Sequence, residues 1–184
     1  MNRPIANTTT NRKNKILLVY PLQGGSGVFI RHIPLGLLYT STKLVSEGIP
    51  VEIFDCRLSP RTWEEELKRK LDEETLIVGI SVMTGTPVMQ ASKIGSMVKE
   101  FDSKIRVVWG GPHATFNSQG ILENEPTCDY VVNGYGSEPF FQLYQALKSV
   151  KKPSNMPGVL YREGAKIIST PREEQFEHIK YPDI

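Results

Sequence analysis

The chain has 184 residues, 39% of them apolar and 23% charged, and a formal net charge of +2. That length suits one domain with a substantial core. So small a charge, without a long block of one sign, argues against nucleic acid or an acidic membrane surface as a partner. No apolar run approaches the roughly 20 residues that span a bilayer. The two cysteines, Cys56 and Cys128, lie far apart and without metal-ligand spacing, which fits a reduced, cytoplasmic setting.

Residues 1–14 are polar and rich in Thr and Asn, with no apolar segment of the signal-peptide kind, and read as a disordered N-terminal segment. From Lys15 onward, short apolar runs alternate with amphipathic stretches, the signature of a parallel sheet covered by helices. The expected strands are Ile16 to Tyr20, Val51 to Phe54, Leu76 to Ser81, Ile105 to Trp109 and Tyr130 to Val132. Pro34 suits the first turn of a helix that stops at Gly48. Thr62 and Glu65 have the spacing of a capping box, ahead of Trp63, Leu67 and Leu71 on one face. Thr86-Pro87 begins a third helix with Val88, Ala91, Val98 and Phe101 on its buried side. Ser137 is the expected cap of the last helix, where Phe140, Leu143, Tyr144 and Leu147 recur at helical spacing. The charge-rich stretch from Glu64 to Glu74 reads as a solvated helix face. Beyond Lys148 the pattern changes to two short β-prone runs, Gly158 to Arg162 and Lys166 to Thr170, joined as a hairpin through Glu163-Gly164-Ala165. Pro171 to Ile184 reads as a linker.

Ligands of open parallel sheets bind outside the carboxyl ends of the strands. Four of the five expected strands run into glycine-containing loops there: Gly24-Gly25-Ser26-Gly27, Thr84-Gly85-Thr86, Gly110-Gly111-Pro112-His113 and Gly134-Tyr135-Gly136. Glycine removes the Cβ that keeps a large ligand off the backbone, and four such loops on one edge point to a broad cofactor. The first loop, Pro21 to Ile33, is also longer than the usual 2–6 residues or so.

Nucleotide motifs fail on these residues. A dinucleotide fingerprint requires G-x-G-x-x-G after the first strand. The glycines there do not match, and Pro139 stands where Gly134-Tyr135-Gly136 would need a third glycine. No Gly-Lys-Ser/Thr exists for a Walker loop, and Ser81 occupies the position where a phosphoacceptor domain carries aspartate. Asp55 could hold a ribose hydroxyl, but without the fingerprint it carries little weight.

Taken together, the motifs resemble a known family. Val107-Val108-Trp109-Gly110-Gly111-Pro112-His113-Ala114-Thr115 resembles the fourth-strand motif of the cobalamin-binding domains of cobalamin-dependent radical SAM enzymes. Asp129 to Glu138, DYVVNGYGSE, is similar to their fifth-strand motif, usually G-E-G-E. Pro34-Leu35-Gly36-Leu37 and Gly48-Ile49-Pro50-Val51-Glu52-Ile53-Phe54-Asp55 match the family's first helix and second strand. The resemblance runs from Lys15 to Thr170.

It implies a doubly wound, flavodoxin-like α/β domain of five parallel strands in the order 2-1-3-4-5, over 15–150, with a small hairpin and linker at 151–184. It also implies cobalamin as the cofactor. Ser81, Thr84 and Gly85 are expected to border a slot for its nucleotide tail, and Gly110, Gly111, Pro112 and His113 to form the other wall. Gly134, Tyr135, Gly136 and Ser137 are expected near the corrin, with Glu138 at the following helix, and Gly24 and Gly25 on the first loop. Here Tyr135 replaces the glutamate of the family motif and Ser137 its second glycine. His32 lacks the D-x-H-x-x-G setting of a cobalt ligand, and His113 reads as a loop histidine, so base-off cobalamin without a protein ligand is expected. A valine at Gly111 is expected to block the cofactor and leave the fold intact. Radical SAM catalysis needs C-x-x-x-C-x-x-C, which this sequence lacks. The iron–sulfur cluster and SAM are therefore assigned to a radical SAM partner domain, in cis or in trans. The competing readings are a flavin-binding oxidoreductase and a cofactor-free interaction domain.

Overall fold

Apolar runs too short for helices but buried on both sides must pair as strands. In the computed structural model, which describes residues 14–24, 32–149 and 154–170, they do so as a single sheet. Strands β1 (Lys15–Tyr20), β2 (Val51–Asp55), β3 (Thr75–Ser81), β4 (Arg106–Gly110) and β5 (Tyr130–Val132) run parallel in the order 2-1-3-4-5. The sheet does not stop there. β6 (Val159–Glu163) adds antiparallel to β5, and β7 (Lys166–Ser169) to β6, so the sheet has seven strands where the sequence suggests five. The hairpin is held from below as well. Arg162 of β6 donates to the carbonyls of Leu122, Pro126 (3.2 Å) and Cys128 (2.5 Å).

Alternation along the strands builds two cores. Leu17, Val19, Val78, Ile80, Val107 and Trp109 face one side. There they meet α2 (Trp63–Lys70), α3 (Thr86–Phe101), α4 (Pro112–Phe116) and α5 (Ser118–Asn124), through Trp63, Leu67, Ala91, Ile94, Ala114 and Leu122. Ile16, Leu18, Tyr20, Val108 and Val132 face the other side and meet α1 (Leu35–Ser46) and α6 (Ser137–Lys148), through Leu37, Leu44, Phe140 and Leu143.

Local signals explain most helix ends. α1 closes on Gly48 at φ +69°, where the left-handed conformation lets Gly48 and Ile49 donate to the carbonyls of Val45 and Leu44. α2 carries Glu64, Glu65 and Glu66 in its first turn and Lys68, Arg69 and Lys70 in its last, so both ends complement the helix dipole. Three expectations are corrected. Thr62 precedes α2 but forms no capping box with Glu65; its hydroxyl donates instead to Glu66 at 2.8 Å, one turn along. Gly136, not Ser137, precedes α6, and no side chain caps it. Phe101, expected to be buried, ends α3 and is half exposed. The expected disordered segment falls almost wholly, and the expected linker wholly, outside the described residues, as does Gly25.

Candidate functional site

The strand order reverses between β1 and β3, with α1 and α6 covering the same face of the sheet. A crevice forms at such a switch point because neighbouring crossovers leave in opposite directions. Here it is a cleft of about 600 Å³, counted to its open mouth. Leu18, Ile80, Val108 and Val132 line it from the sheet, Leu37 and Phe140 from the helices. Glycines complete the walls at Gly36, Gly79, Gly110, Gly111, Gly134 and Gly136.

These glycines do different things. Gly79 closes the floor: a Cβ there would come within 2.8 Å of Leu18 and 3.0 Å of Phe140. Gly36 and Gly110 leave room. Among the described residues, a Cβ on Gly36 would meet nothing within 4 Å beyond its own helix, and on Gly110 only the Val132 carbonyl at 3.9 Å. Gly111 is required by the fold itself. Its φ is +89°, and a Cβ would lie 3.0 Å from the Val82 nitrogen and 3.1 Å from Ser81 Oγ. The expectation that valine at Gly111 spares the fold is therefore corrected: the backbone of Val82, just past β3, already occupies that space.

Two contacts set the mouth. Lys43 of α1 pairs with the Glu138 carboxylate of α6 and lies over the Phe141 ring at 4.7 Å. The hydrogen bond from Lys43, then that from Gln142, holds the Glu138 carboxyl below its ordinary pKa. Glu138 thus joins the helices that flank the cleft and is not among its lining residues. Tyr39 and Tyr135 meet edge to face above it, ring centres 6.1 Å apart.

The sequence-selected residues fall into two groups. Ser81, Gly110, Gly111, Gly134, Tyr135 and Gly136 line the cleft. Gly24, Thr84, Gly85, Pro112, His113 and Ser137 do not. A Cβ on Gly24 would strike the Thr86 side chain at 2.6 Å, so that glycine admits the first loop against α3. Thr84 Oγ1 and His113 Nδ1 are 3.2 Å apart and tie the loop after β3 to α4. Sequence reasoning missed Gly36, Gly79, Thr40 and Phe140. An isolated glycine inside an apolar strand marks a close approach, a signal that would have found Gly79.

His32 is not among the lining residues and is engaged elsewhere. Its Nε2 is 3.1 Å from the Tyr20 hydroxyl, and the two rings meet edge to face. The Arg57 guanidinium covers Tyr20 at 4.2 Å, donates to the His32 carbonyl at 2.8 Å and pairs with Asp55 at 2.7 Å. Asp55, weighed as a ribose ligand, is committed to this arginine. Burial first of all pushes the Tyr20 hydroxyl above its usual pKa, against the opposing charge of Arg57.

Residues 28–143 match the family model described as "B12 binding domain". The chain is 30% identical over 148 residues to an uncharacterized methyltransferase of Pyrococcus horikoshii, covering 79% of this chain and 31% of that one. It is 28% identical over 140 residues to an anaerobic magnesium-protoporphyrin IX monomethyl ester cyclase of Synechocystis, covering 74% and 28%. It therefore spans under a third of the length of these relatives. In fold it is similar to the radical S-adenosylmethionine methyltransferase TsrM of Kitasatospora setae, solved with cobalamin and an iron–sulfur cluster. That match has a TM-score of 0.75 at 22% identity, over 87% of this chain and 29% of that one. The cobalamin-dependent S-adenosylmethionine radical enzyme OxsB matches at a TM-score of 0.66 and 18% identity, over 88% and 22%. With a family model covering most of the doubly wound region and the cleft at its switch point, this chain belongs to the B12-binding domain family.

Proposed function

We propose that this chain binds cobalamin base-off and presents it to a radical SAM catalytic domain, in cis or in trans, that carries the iron–sulfur cluster and SAM. One observation carries the reading. The apolar cleft opens at the carboxyl edge of the sheet, and Gly36 and Gly110 leave unfilled the space that side chains would take. An extended nucleotide tail fits such a cradle, with the corrin lying across the loops at Gly110, Gly134 and Gly136. When bound, the corrinoid supplies the group-transfer chemistry of its cobalt, and the residues of this chain hold and orient it.

The base-off assignment is supported by the His32 contact with Tyr20 and by the missing D-x-H-x-x-G. Presentation to a partner domain is supported by large apolar side chains left exposed around the same edge: Ile33, Leu35, Met83 and Met89, with Phe116 at 89% and Tyr135 at 74%. An uncovered rim of this kind marks an interaction surface. The reading places the protein in the cytoplasm, where its two free, buried cysteines stay reduced.

The test is an absorption spectrum of the chain after mixing with hydroxocobalamin and gel filtration, then electron paramagnetic resonance of the reduced Co(II) form. Co-eluting corrin absorption without nitrogen hyperfine splitting is expected. Elution without corrin would sink the binding assignment, and splitting that vanishes in His32→Ala would sink the base-off one.

A further inference from the structure

The cleft's polarity bears on which corrinoid it takes, an inference that rests on the cobalamin reading above. Corrinoids differ in the base at the end of the nucleotide tail. Benzimidazoles and phenols are flat and largely apolar; adenine is flat and similar in size but carries an exocyclic amine and further ring nitrogens. Each of those needs a hydrogen-bond partner once buried. Shape alone does not separate the two classes, so the chemistry of the walls must.

The walls offer adenine little. Among the described residues, the polar side-chain atoms of the lining are the hydroxyls of Ser81, Tyr39, Thr40 and Tyr135, with no amide, carboxylate, imidazole or cation. Leu18 and Phe140 meet over Gly79 and make its floor apolar. The Thr40 hydroxyl already donates to the Gly36 carbonyl at 2.9 Å. Three of the glycine carbonyls and one glycine N–H are engaged too. The Gly110 carbonyl accepts from Val82 N–H at 2.8 Å, that of Gly111 from Thr115 N–H at 3.0 Å, and that of Gly136 from Phe140 N–H at 2.9 Å. Gly134 N–H donates to Thr115 Oγ1 at 3.0 Å. We infer that the cleft selects the tail base by polarity, accepting benzimidazole and phenol and discriminating against adenine.

The full chain is titrated with hydroxocobalamin, its adenine-bearing and cresol-bearing analogues, and tail-less cobinamide, with bound corrin measured after ultrafiltration. Cobalamin and the cresol form should bind at least about tenfold more tightly than the adenine form, since one buried unpaired polar group suffices for that ratio. Gly36→Ala tests the location. Among the described residues its methyl group meets nothing within 4 Å beyond its own helix, so it should weaken the tail-bearing forms and leave cobinamide unchanged. Adenine binding as tightly as benzimidazole would overturn the inference. So would Gly36→Ala leaving every affinity unchanged, or cobinamide matching cobalamin, and in both cases the cobalamin reading would survive. Failure of all four to bind would overturn that reading itself.

Discussion

Gly110 and Gly111 are adjacent in sequence yet answer to different constraints, so one methyl group placed on each should separate ligand binding from folding. Gly110 ends β4, where alternation from Val108 turns it toward the cleft. Its added Cβ would touch nothing closer than the Val132 carbonyl at 3.9 Å. Gly110→Ala should therefore keep stability within about 0.5 kcal/mol of the parent and lower cobalamin affinity by about tenfold or more, because the methyl enters the space proposed for the cofactor. Gly111→Ala incurs two costs. Holding a non-glycine residue at φ +89° and ψ −175°, a region essentially reserved for glycine, costs about 1–3 kcal/mol. The methyl also presses on Val82, which cannot retreat, because its N–H is bonded to Gly110 and its carbonyl to His113. Together these come to about 2–4 kcal/mol, a fall in Tm of roughly 5–15 °C for a domain of this size. Thermal unfolding by circular dichroism and corrin titration of both variants are the assays. An unchanged Tm for Gly111→Ala would refute the strain argument. A folded Gly110→Ala with parental affinity would mean that the ligand does not pass β4.

Three further outcomes follow from the packing. Arg162→Ala leaves the carbonyls of Leu122, Pro126 and Cys128 without their donor, and urea unfolding should show a loss of about 2–3 kcal/mol. Glu138→Gln removes a carboxylate whose pKa is lowered by Lys43. Such a group adds stability above the ordinary carboxylate range and loses it as pH falls through its depressed value. Because Glu138 is half exposed, the variant should lose no more than about 1 kcal/mol at pH 7, and the difference should shrink below about pH 4. Burial pushes the thiols of Cys56 and Cys128 up to about 12, so a disulfide reagent at pH 8 should label neither until denaturant is added. Rapid labelling of the native protein would contradict that packing.

The parallel sheet was legible because its strands are continuous apolar runs bounded by breakers, a pattern that local sequence carries by itself. The two short helices Pro112–Phe116 and Ser118–Asn124 were not, since each spans too few turns for a 3.6-residue period to register. The place of the hairpin was hidden for another reason. Its run Val159–Glu163 reads as a strand, but pairing Val131 with Leu160 is a choice between distant segments that neither segment encodes alone. At the site, glycine clusters announced the edge, but not the side of the sheet each would serve. That depends on strand parity and on single φ angles, which is why Gly24 and Gly110 looked equivalent in sequence and are not in the fold.

The same distinction explains where this chain departs from the motif it resembles. At Tyr135 the family pattern supplies a carboxylate, whereas here a ring reaches across to Tyr39 and spans the mouth of the cleft. The carboxylate that remains, Glu138, is turned to Lys43, so its charge ties α1 to α6. The Tyr135 substitution takes a carboxylate off the lining, and the retained Glu138 places its charge on the frame. On one side the walls are held by the ladder of β1, β3, β4 and β5, and on the other α1 and α6 are joined by that ion pair. A preorganised apolar cleft converts more of its contact area into affinity than one that must close first. Under the proposed function, that property suits a domain that holds a large cofactor still while another domain acts on it.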